Sequence, residues 1–372
     1  MPERNLNIGI VGAGSFADFA AKAFLKVEGV RIVAVADINE KIAAQLASSF
    51  NAKPYADYEV FLNDRNIDLV YIATPPFLHY QQSKAALLAG KHVICEKPAA
   101  LKASEARELA ALADSRQLLY VVNLMQRYNP LYSIVNTIIN EKILGGFLHG
   151  FFENYASDES LDSNHWFWDE SKSGGIFIEH GVHFFDMFSG WLGEGKVISA
   201  FQIQRPSVTQ KINDRVQATV LYHDGLVNFY HGFDQPKILD RQEMRLQFEH
   251  GDITLYGWIP VKVRLHGLFQ KQSLEKVCEL LSGCAIQDCN ETNEQPQTVR
   301  GRFSNIPFDE HVTIEYGSIS EKHGRYQQVL IAMISDQWMW IKDKSHQRII
   351  DQTNAVQSLK TAEEATVLAQ QF

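Results

Sequence analysis

Hydrophobic and polar positions alternate in two rhythms along the first third of the chain. Short runs rich in valine and isoleucine, LNIGIVG (6–12), VRIVAVAD (30–37), IDLVYIAT (67–74), HVICEK (92–97) and LLYVVNL (118–124), predict strands. Between them, stretches such as FADFAAKAFLKV and SEARELAALADS space their apolar residues as helices do. Near-continuous apolar strands separated by helices predict a parallel sheet covered on both faces, because crossover helices shield each side from water. Residues 1–124 are therefore expected to form a doubly wound α/β domain.

The rhythm changes afterwards. NPLYSIVNTIINEKI predicts a helix, and Gly145-Gly146 leads into FLHGFFENYA. Alternating runs follow in DRVQATVLYHDGLVNFYHGF, with Asp224-Gly225 at its centre, and in MRLQFEHGDITLYGW, with Gly251-Asp252. Turn pairs of this kind between alternating runs predict hairpins. Residues 125–372 are thus expected to be an α+β domain with a large, mainly antiparallel open sheet. Helices usually cover only one face of such a sheet, so the other is expected to join subunits into a homodimer or homotetramer. Residues 269–305 are polar and predict an irregular insertion, and TNAVQSLKTAEEATVLAQQF predicts a closing helix.

Composition narrows the partners. A 372-residue chain that is 45% hydrophobic has material for two cores. Its formal net charge of −9 argues against broad binding to nucleic acid or anionic lipid, so a small molecule is the expected partner. Cys95, Cys278, Cys284 and Cys289 lack paired C-x-x-C spacing and are too few for a disulfide framework, which fits a reducing cytoplasm. MPERN runs straight into the first strand, leaving no room for a signal peptide, and no uncharged apolar run reaches the ~18 residues of a membrane span.

The segment IGIVGAGSFADFAAKAF sets Gly12, Gly14 and Ala17 in G-x-G-x-x-A spacing between the first strand and the first helix, with Ser15 and Phe16 inside the motif. The first glycine permits the tight turn, the second lets backbone approach a pyrophosphate, and the small third residue allows close helix packing. Strand two ends in Asp37, where a carboxylate accepts from adenosine ribose hydroxyls and repels a 2′-phosphate. NAD is the expected cofactor. Lys41 could fold back toward that site, which leaves NADP open.

The window GGIFIEHGVHFFD (174–186) concentrates Glu179, His180, His183 and Asp186. On an α-helix, Glu179, His183 and Asp186 share one face, with His180 rotated roughly 100° from Glu179. Histidine suits proton transfer near neutrality. Imidazole and carboxylate also bind divalent metals, so a metal site is a competing reading, as is plain core packing.

The segments ATPPFLH (73–79), KHVICEKPAA (91–100), MQRYNP (125–130) and SGGIFIEHGVHFFD (173–186) together resemble the glucose-fructose oxidoreductase, inositol dehydrogenase and MocA family (Gfo/Idh/MocA). The resemblance covers most of the chain and is weakest in the later hairpins and the 269–305 stretch. It implies an N-terminal Rossmann domain and hydride transfer between NAD(P) and a hydroxyl or carbonyl carbon of a sugar, sugar acid or cyclitol. It further implies that Lys97 bonds the reacting oxygen, with Pro98 setting the backbone, often through a cis bond. Glu96 is implied to meet cofactor or ribose, and Thr74, Pro75 and His79 to line the nicotinamide side. His79 could equally be a helix-start residue with a local bond. By the same resemblance His183 is the acid/base group and Glu179 orients it or holds a substrate hydroxyl, while Asp186 anchors the helix or supports His183. Arg127, Tyr128, His165, Trp166 and His180 are substrate-pocket candidates that could equally be structural. The family usually has aspartate where Glu179 stands, and a small or apolar residue at His180. No metal is expected. A non-catalytic NAD(H) sensor and a metal-dependent hydrolase using residues 179–186 are the alternatives.

Overall fold

The computed structural model describes residues 5–158, 160–205, 211–289, 297–301 and 304–371. The opening MPERN, parts of the 269–305 stretch and the last residue of the closing segment lie largely outside this range. The chain packs into two compact units: Met1–Tyr128, Asp162–Asp186 and Gln327–Val367 form the first, and Asn129–Leu161, Met187–Tyr326 and Leu368–Phe372 the second.

The first unit holds a six-stranded parallel sheet of β1 (Leu6–Val11), β2 (Val30–Ala36), β3 (Lys53–Tyr55), β4 (Leu69–Ile72), β5 (His92–Cys95) and β6 (Tyr120–Val122). Its order is β3-β2-β1-β4-β5-β6. Helices α1 (Ser15–Phe24), α2 (Glu40–Ser49), α3 (Tyr58–Leu62), α4 (Pro76–Leu88) and α5 (Ala103–Ser115) alternate with the strands. The doubly wound expectation holds. All four residues of β4 and three of the four in β5 are buried, as strands covered on both faces should be. Strand β3 escapes the sequence pattern because KPY is a polar, proline-containing edge. The order reverses between β1 and β4, and ligands of such sheets bind beyond the carboxyl ends of the strands at this point.

Chain order continues with α6 (Pro130–Asn140) and β7 (Phe147–Tyr155), then α7 (Glu170–Ser173), a π-helical turn over Phe177–Gly181, and α8 (Val182–Leu192). The Asn129 side chain caps α6, accepting from Leu131 N at 3.0 Å, and Pro130 occupies the first turn, where its missing N–H costs nothing. The second unit is built on a nine-stranded sheet with β8 (Lys196–Gln204), β9 (Asn213–Leu221), β10 (Leu226–Gly232), β11 (Arg241–Phe248), β12 (Gly251–Tyr256) and β13 (Lys262–Phe269). Helix α9 (Lys271–Leu280), β14 (Ala285–Asp288), β15 (Gln297–Arg300), β16 (Asn305–Phe308) and β17 (Glu310–Gly317) follow. The chain ends with α10 (Lys322–Lys342) and α11 (Gln352–Ala369), the latter being the expected closing helix.

The large sheet runs β14-β17-β13-β12-β11-β7-β10-β9-β8 and is antiparallel except for the β7–β10 pair. Along β13, Val263, Leu265 and Phe269 are buried while Lys262, Arg264 and His266 are half-exposed, so one face is core and the other open.

Two expectations are corrected. Asp224-Gly225 does lie in the β9–β10 hairpin, but the β11–β12 turn falls on Glu249-His250, with Gly251 already paired to Phe248. The described part of the 269–305 stretch is also not irregular. It contributes α9 and the edge strand β14, which pairs with β17, and β15 pairs with β16. Its polar composition reflects an exposed sheet margin rather than a lack of structure.

Candidate active site

The glycine turn sits at the end of β1. Gly12 has φ +88°, and a Cβ there would lie 2.7 Å from the Ala73 carbonyl oxygen, so only glycine fits. Gly14 differs, because the space where its Cβ would project is open for 4 Å, which leaves its backbone approachable from outside. Ala17 is buried against the sheet. Gly14 caps α1 without a side-chain hydrogen bond, leaving the first-turn N–H groups directed outward beside exposed Ser15, while Phe16 is half-buried. Asp37 closes the turn: its carboxylate accepts from Ala13 N and Asn39 N, each at 2.8 Å. These residues fit a dinucleotide, with an anion site at the helix start and a carboxylate one strand away.

Lys97 extends from the carboxyl end of β5, and its peptide bond to Pro98 is cis. Its ammonium donates to the Glu179 carbonyl oxygen at 2.9 Å and to Glu179 Oε1. Both side chains are mostly buried, at 20% and 10% exposure. His183 lies in the next stretch of helix and is 6% exposed. Burial, reinforced by the positive charge of Lys97, pushes its pKa down to about 3. The imidazole is therefore neutral at physiological pH.

Local geometry departs from a continuous α-helix here. Gly174 and Gly175, at φ +79° and +88°, end α7, and the chain re-enters helix through the π turn at Phe177–Gly181. Glu179 and His180 lie in this turn, which pairs i→i+5, while the Glu179 N–H still donates to the Gly175 carbonyl at 2.9 Å. The α-helical phase expected for Glu179 relative to His183 is thereby corrected. Apolar periodicity survives a single π turn, which is why the sequence pattern does not reveal it.

The remaining candidates separate into those near this pair and those committed elsewhere. Asp186 forms a buried two-pronged ion pair with Arg127, whose Nε and Nη2 reach its carboxylate at 2.7 and 2.9 Å. Arg127 Nη2 also donates to the Asp186 carbonyl at 2.7 Å. Arg127 therefore anchors the helix carrying His183, the structural one of its two expected roles. Tyr128 is buried and donates to Asp336 at 2.6 Å while accepting from Gln337 at 3.0 Å, which likewise fits its structural reading.

Arg127→Met is expected to cost about 3–5 kcal/mol of stability, because it leaves the Asp186 carboxylate buried and uncompensated. A urea melt of the variant measures this, and an unchanged midpoint would exclude an anchoring role.

His79 is buried, with Nδ1 2.6 Å from the Pro98 carbonyl and Nε2 2.7 Å from that of Thr74. Burial lowers its pKa, opposed by the two carbonyls. It splices the Thr74-Pro75 loop to the Lys97-Pro98 bend, which fits the local-bond reading. Thr74 Oγ1 donates to Gln82 Oε1 at 2.6 Å, and Pro75 caps α4. Glu96 Oε1 accepts from Tyr71 at 2.5 Å and Asn123 at 2.8 Å, and burial raises its pKa. Tyr71 and Asn123 were not expected, although a polar residue closing the apolar β6 run is a usable signal. His165 caps the turn at Trp166–Trp168, accepting from Phe167 N at 3.3 Å, with its ring 5.1 Å from that of Trp166. The bonds found for both residues are local. His180 is half-buried, its ring 5.3 Å from that of Phe184. Among the described residues the 179–186 window does not gather three metal-ligand atoms, and Glu179 is engaged by an ammonium, so the metal reading of this window is not supported.

A glycine turn at a sheet switch point with an acidic residue closing it defines a dinucleotide-binding framework. Residues 6–124 match the family model "Oxidoreductase family, NAD-binding Rossmann fold", and residues 136–254 match "GFO/IDH/MocA C-terminal domain". The chain belongs to the Gfo/Idh/MocA oxidoreductase family, and its N-terminal region is that family's NAD-binding Rossmann domain.

Among curated relatives, the chain is 29% identical over 211 residues to levoglucosan dehydrogenase of Pseudarthrobacter phenanthrenivorans, covering 53% of this chain and 54% of that one. It is 33% identical over 172 residues to D-xylose 1-dehydrogenase (NADP(+)) of Hypocrea jecorina, covering 43% of each chain. The chain thus spans about half the length of the curated relatives it matches. In fold it is similar to the WlbA dehydrogenase from Bordetella pertussis in complex with NADH and UDP-GlcNAcA, at 16% identity and TM-score 0.80, covering 100% of this chain and 97% of that one. Levoglucosan dehydrogenase in complex with NADH and levoglucosan aligns at TM-score 0.76 and 18% identity, covering 99% and 98%. No described helix is long and apolar enough to cross a membrane.

Proposed function

We propose that the protein is an NAD-dependent dehydrogenase or reductase acting on a CH–OH or carbonyl carbon of a sugar, sugar acid or cyclitol. The observation that carries this reading is the meeting of Lys97 with Glu179 beside a buried, neutral His183. Relatives named as dehydrogenases of levoglucosan and D-xylose support the substrate class.

In this reading the turn at Gly12, Gly14, Ser15 and Phe16 holds the pyrophosphate, and Asp37 accepts from the ribose and favours NAD over NADP. The bound nicotinamide supplies the hydride acceptor or donor. Lys97 donates a hydrogen bond to the reacting oxygen and stabilises its developing negative charge, in a position where charge–dipole interactions are little screened. His183, neutral above about pH 3, accepts the hydroxyl proton on oxidation and returns it on reduction. Glu179 fixes the ammonium by accepting its hydrogen bond and offers its other oxygen to a substrate hydroxyl. Glu96, braced by Tyr71 and Asn123, supports the strand end that carries Lys97.

Residues 1–124 serve cofactor binding, and residues 125–372 supply substrate contacts and assembly through the open face of the nine-stranded sheet, as a homodimer or homotetramer. His165, Trp166 and His180 remain pocket candidates, all half-buried. Four free cysteines suit a cytoplasmic location.

The test is a panel of sugars, sugar acids and cyclitols assayed by nicotinamide absorbance with both cofactors. Substrate-dependent reduction of NAD, faster than that of NADP, is expected for at least one member. A flat trace with every member and both nucleotides would leave the reading without support.

A further inference from the structure

Away from the Lys97–Glu179 pair, three neighbouring strands of the large sheet bring two imidazoles and a thiol together. His266 on β13 stands opposite Thr313 on β17, and His311 lies two residues before Thr313 on the same open face. Cys289 directly follows β14, and its N–H donates to the His311 carbonyl at 2.8 Å, so it continues that strand's register. The Nε2 atoms of His266 and His311 are 3.0 Å apart, and the three ligand atoms all lie within 4.8 Å of one another. We propose that His266, His311 and Cys289 bind a zinc ion on the open face of the nine-stranded sheet.

The donor set carries the choice of metal. A thiolate with two imidazoles suits zinc, whereas magnesium and calcium take oxygen ligands. Tetrahedral zinc with bonds of about 2.0–2.1 Å to nitrogen and about 2.3 Å to sulfur sets its ligand atoms roughly 3.3–3.6 Å apart, so small side-chain rotations complete the site. Asp252 adds an independent feature. It pairs with His266 across the β12–β13 ladder, and its Oδ2 is 3.6 Å from His266 Nδ1. That separation is just beyond a hydrogen bond, so a small ring rotation lets the carboxylate accept from Nδ1–H and leaves Nε2 for metal. Arg245 at 3.4 Å and Arg264 at 4.0 Å hold that carboxylate from the other side. With three protein ligands, the fourth position is left to water. The ion fastens the edge strand β14, which belongs to the excursion between β13 and β17, back onto the sheet. This site is independent of the oxidoreductase reading.

The experiment uses untagged full-length protein, stripped with chelator, loaded with zinc or cobalt(II) and desalted. Elemental analysis is expected to give one zinc per chain, and the cobalt form to show thiolate-to-metal charge-transfer absorption. Cys289→Ser and His311→Gln should each lose both signals while keeping the circular dichroism of the metal-free wild type. Asp252→Asn should weaken zinc affinity by about 10–100-fold. Zinc should raise the Tm of wild type and leave that of Cys289→Ser unchanged. Failure of the wild type to retain metal after desalting, or equal retention by Cys289→Ser, overturns the proposal.

Discussion

Lys97→Ala is expected to lower turnover by about 10²–10³-fold, the usual effect of removing one donor to a developing oxyanion, while the dissociation constant for NADH stays near that of the wild type. The split follows from position. The ammonium meets Glu179, not the glycine turn, so nothing that holds the pyrophosphate or ribose is lost. The substitution also leaves the Glu179 carboxylate, 10% exposed, without its cation, so Glu179→Gln serves as a companion that keeps shape and removes charge. Fluorescence titration with NADH gives the binding arm, and steady-state rates on the best panel substrate give the other. Near-native turnover by Lys97→Ala would sink the proposed chemistry, and loss of NADH binding would mean that Lys97 shapes the cofactor site instead.

Acid sensitivity is the second large effect expected. His183 and His231 are both buried, and burial holds each near a pKa of about 3. Unfolded histidine titrates near ~6.5, so between that value and about pH 3 the unfolded chain binds the extra protons and stability falls as pH falls. Each histidine contributes a slope approaching about 1.4 kcal/mol per pH unit within the window. His79 acts in the same sense, since burial lowers its pKa too, although its two carbonyl contacts oppose the shift. Asp186 and Glu96 act in the reverse sense: burial raises both, so they take up protons in the folded state first and offset part of the loss. The readout is therefore a difference between proteins. Urea midpoints at pH 7, 6 and 5 should fall less steeply for His231→Asn than for wild type, and parallel slopes would rule out a buried neutral His231.

What could be read from the sequence was what local periodicity and short motifs encode. Strands β1, β2, β4, β5 and β6, the Gly12–Gly14 turn and the Lys97 strand end each depend on residues near in sequence. Contacts that join distant residues were not legible. Arg127 reaches Asp186 across 59 positions, and His266 reaches His311 across 45. Arg127 stays ambiguous in the sequence because an arginine beside a substrate motif and an arginine pinning a helix look alike there. The edge strands β3 and β14 were missed for a different reason: exposed on a margin, they lack the apolar signature by which strands are recognised.

The π turn at Phe177–Gly181 has a consequence for how such sites diverge. The angular offset between the acid of residue 179 and the imidazole of residue 183 depends on how many residues fill that turn, not only on which residues they are. Two chains carrying the same glutamate and histidine but differing by one position between Gly174 and Val182 would aim them in different directions. Specificity can thus be retuned by insertion or deletion with every functional group retained. A comparison that scores only residue identity would record no change.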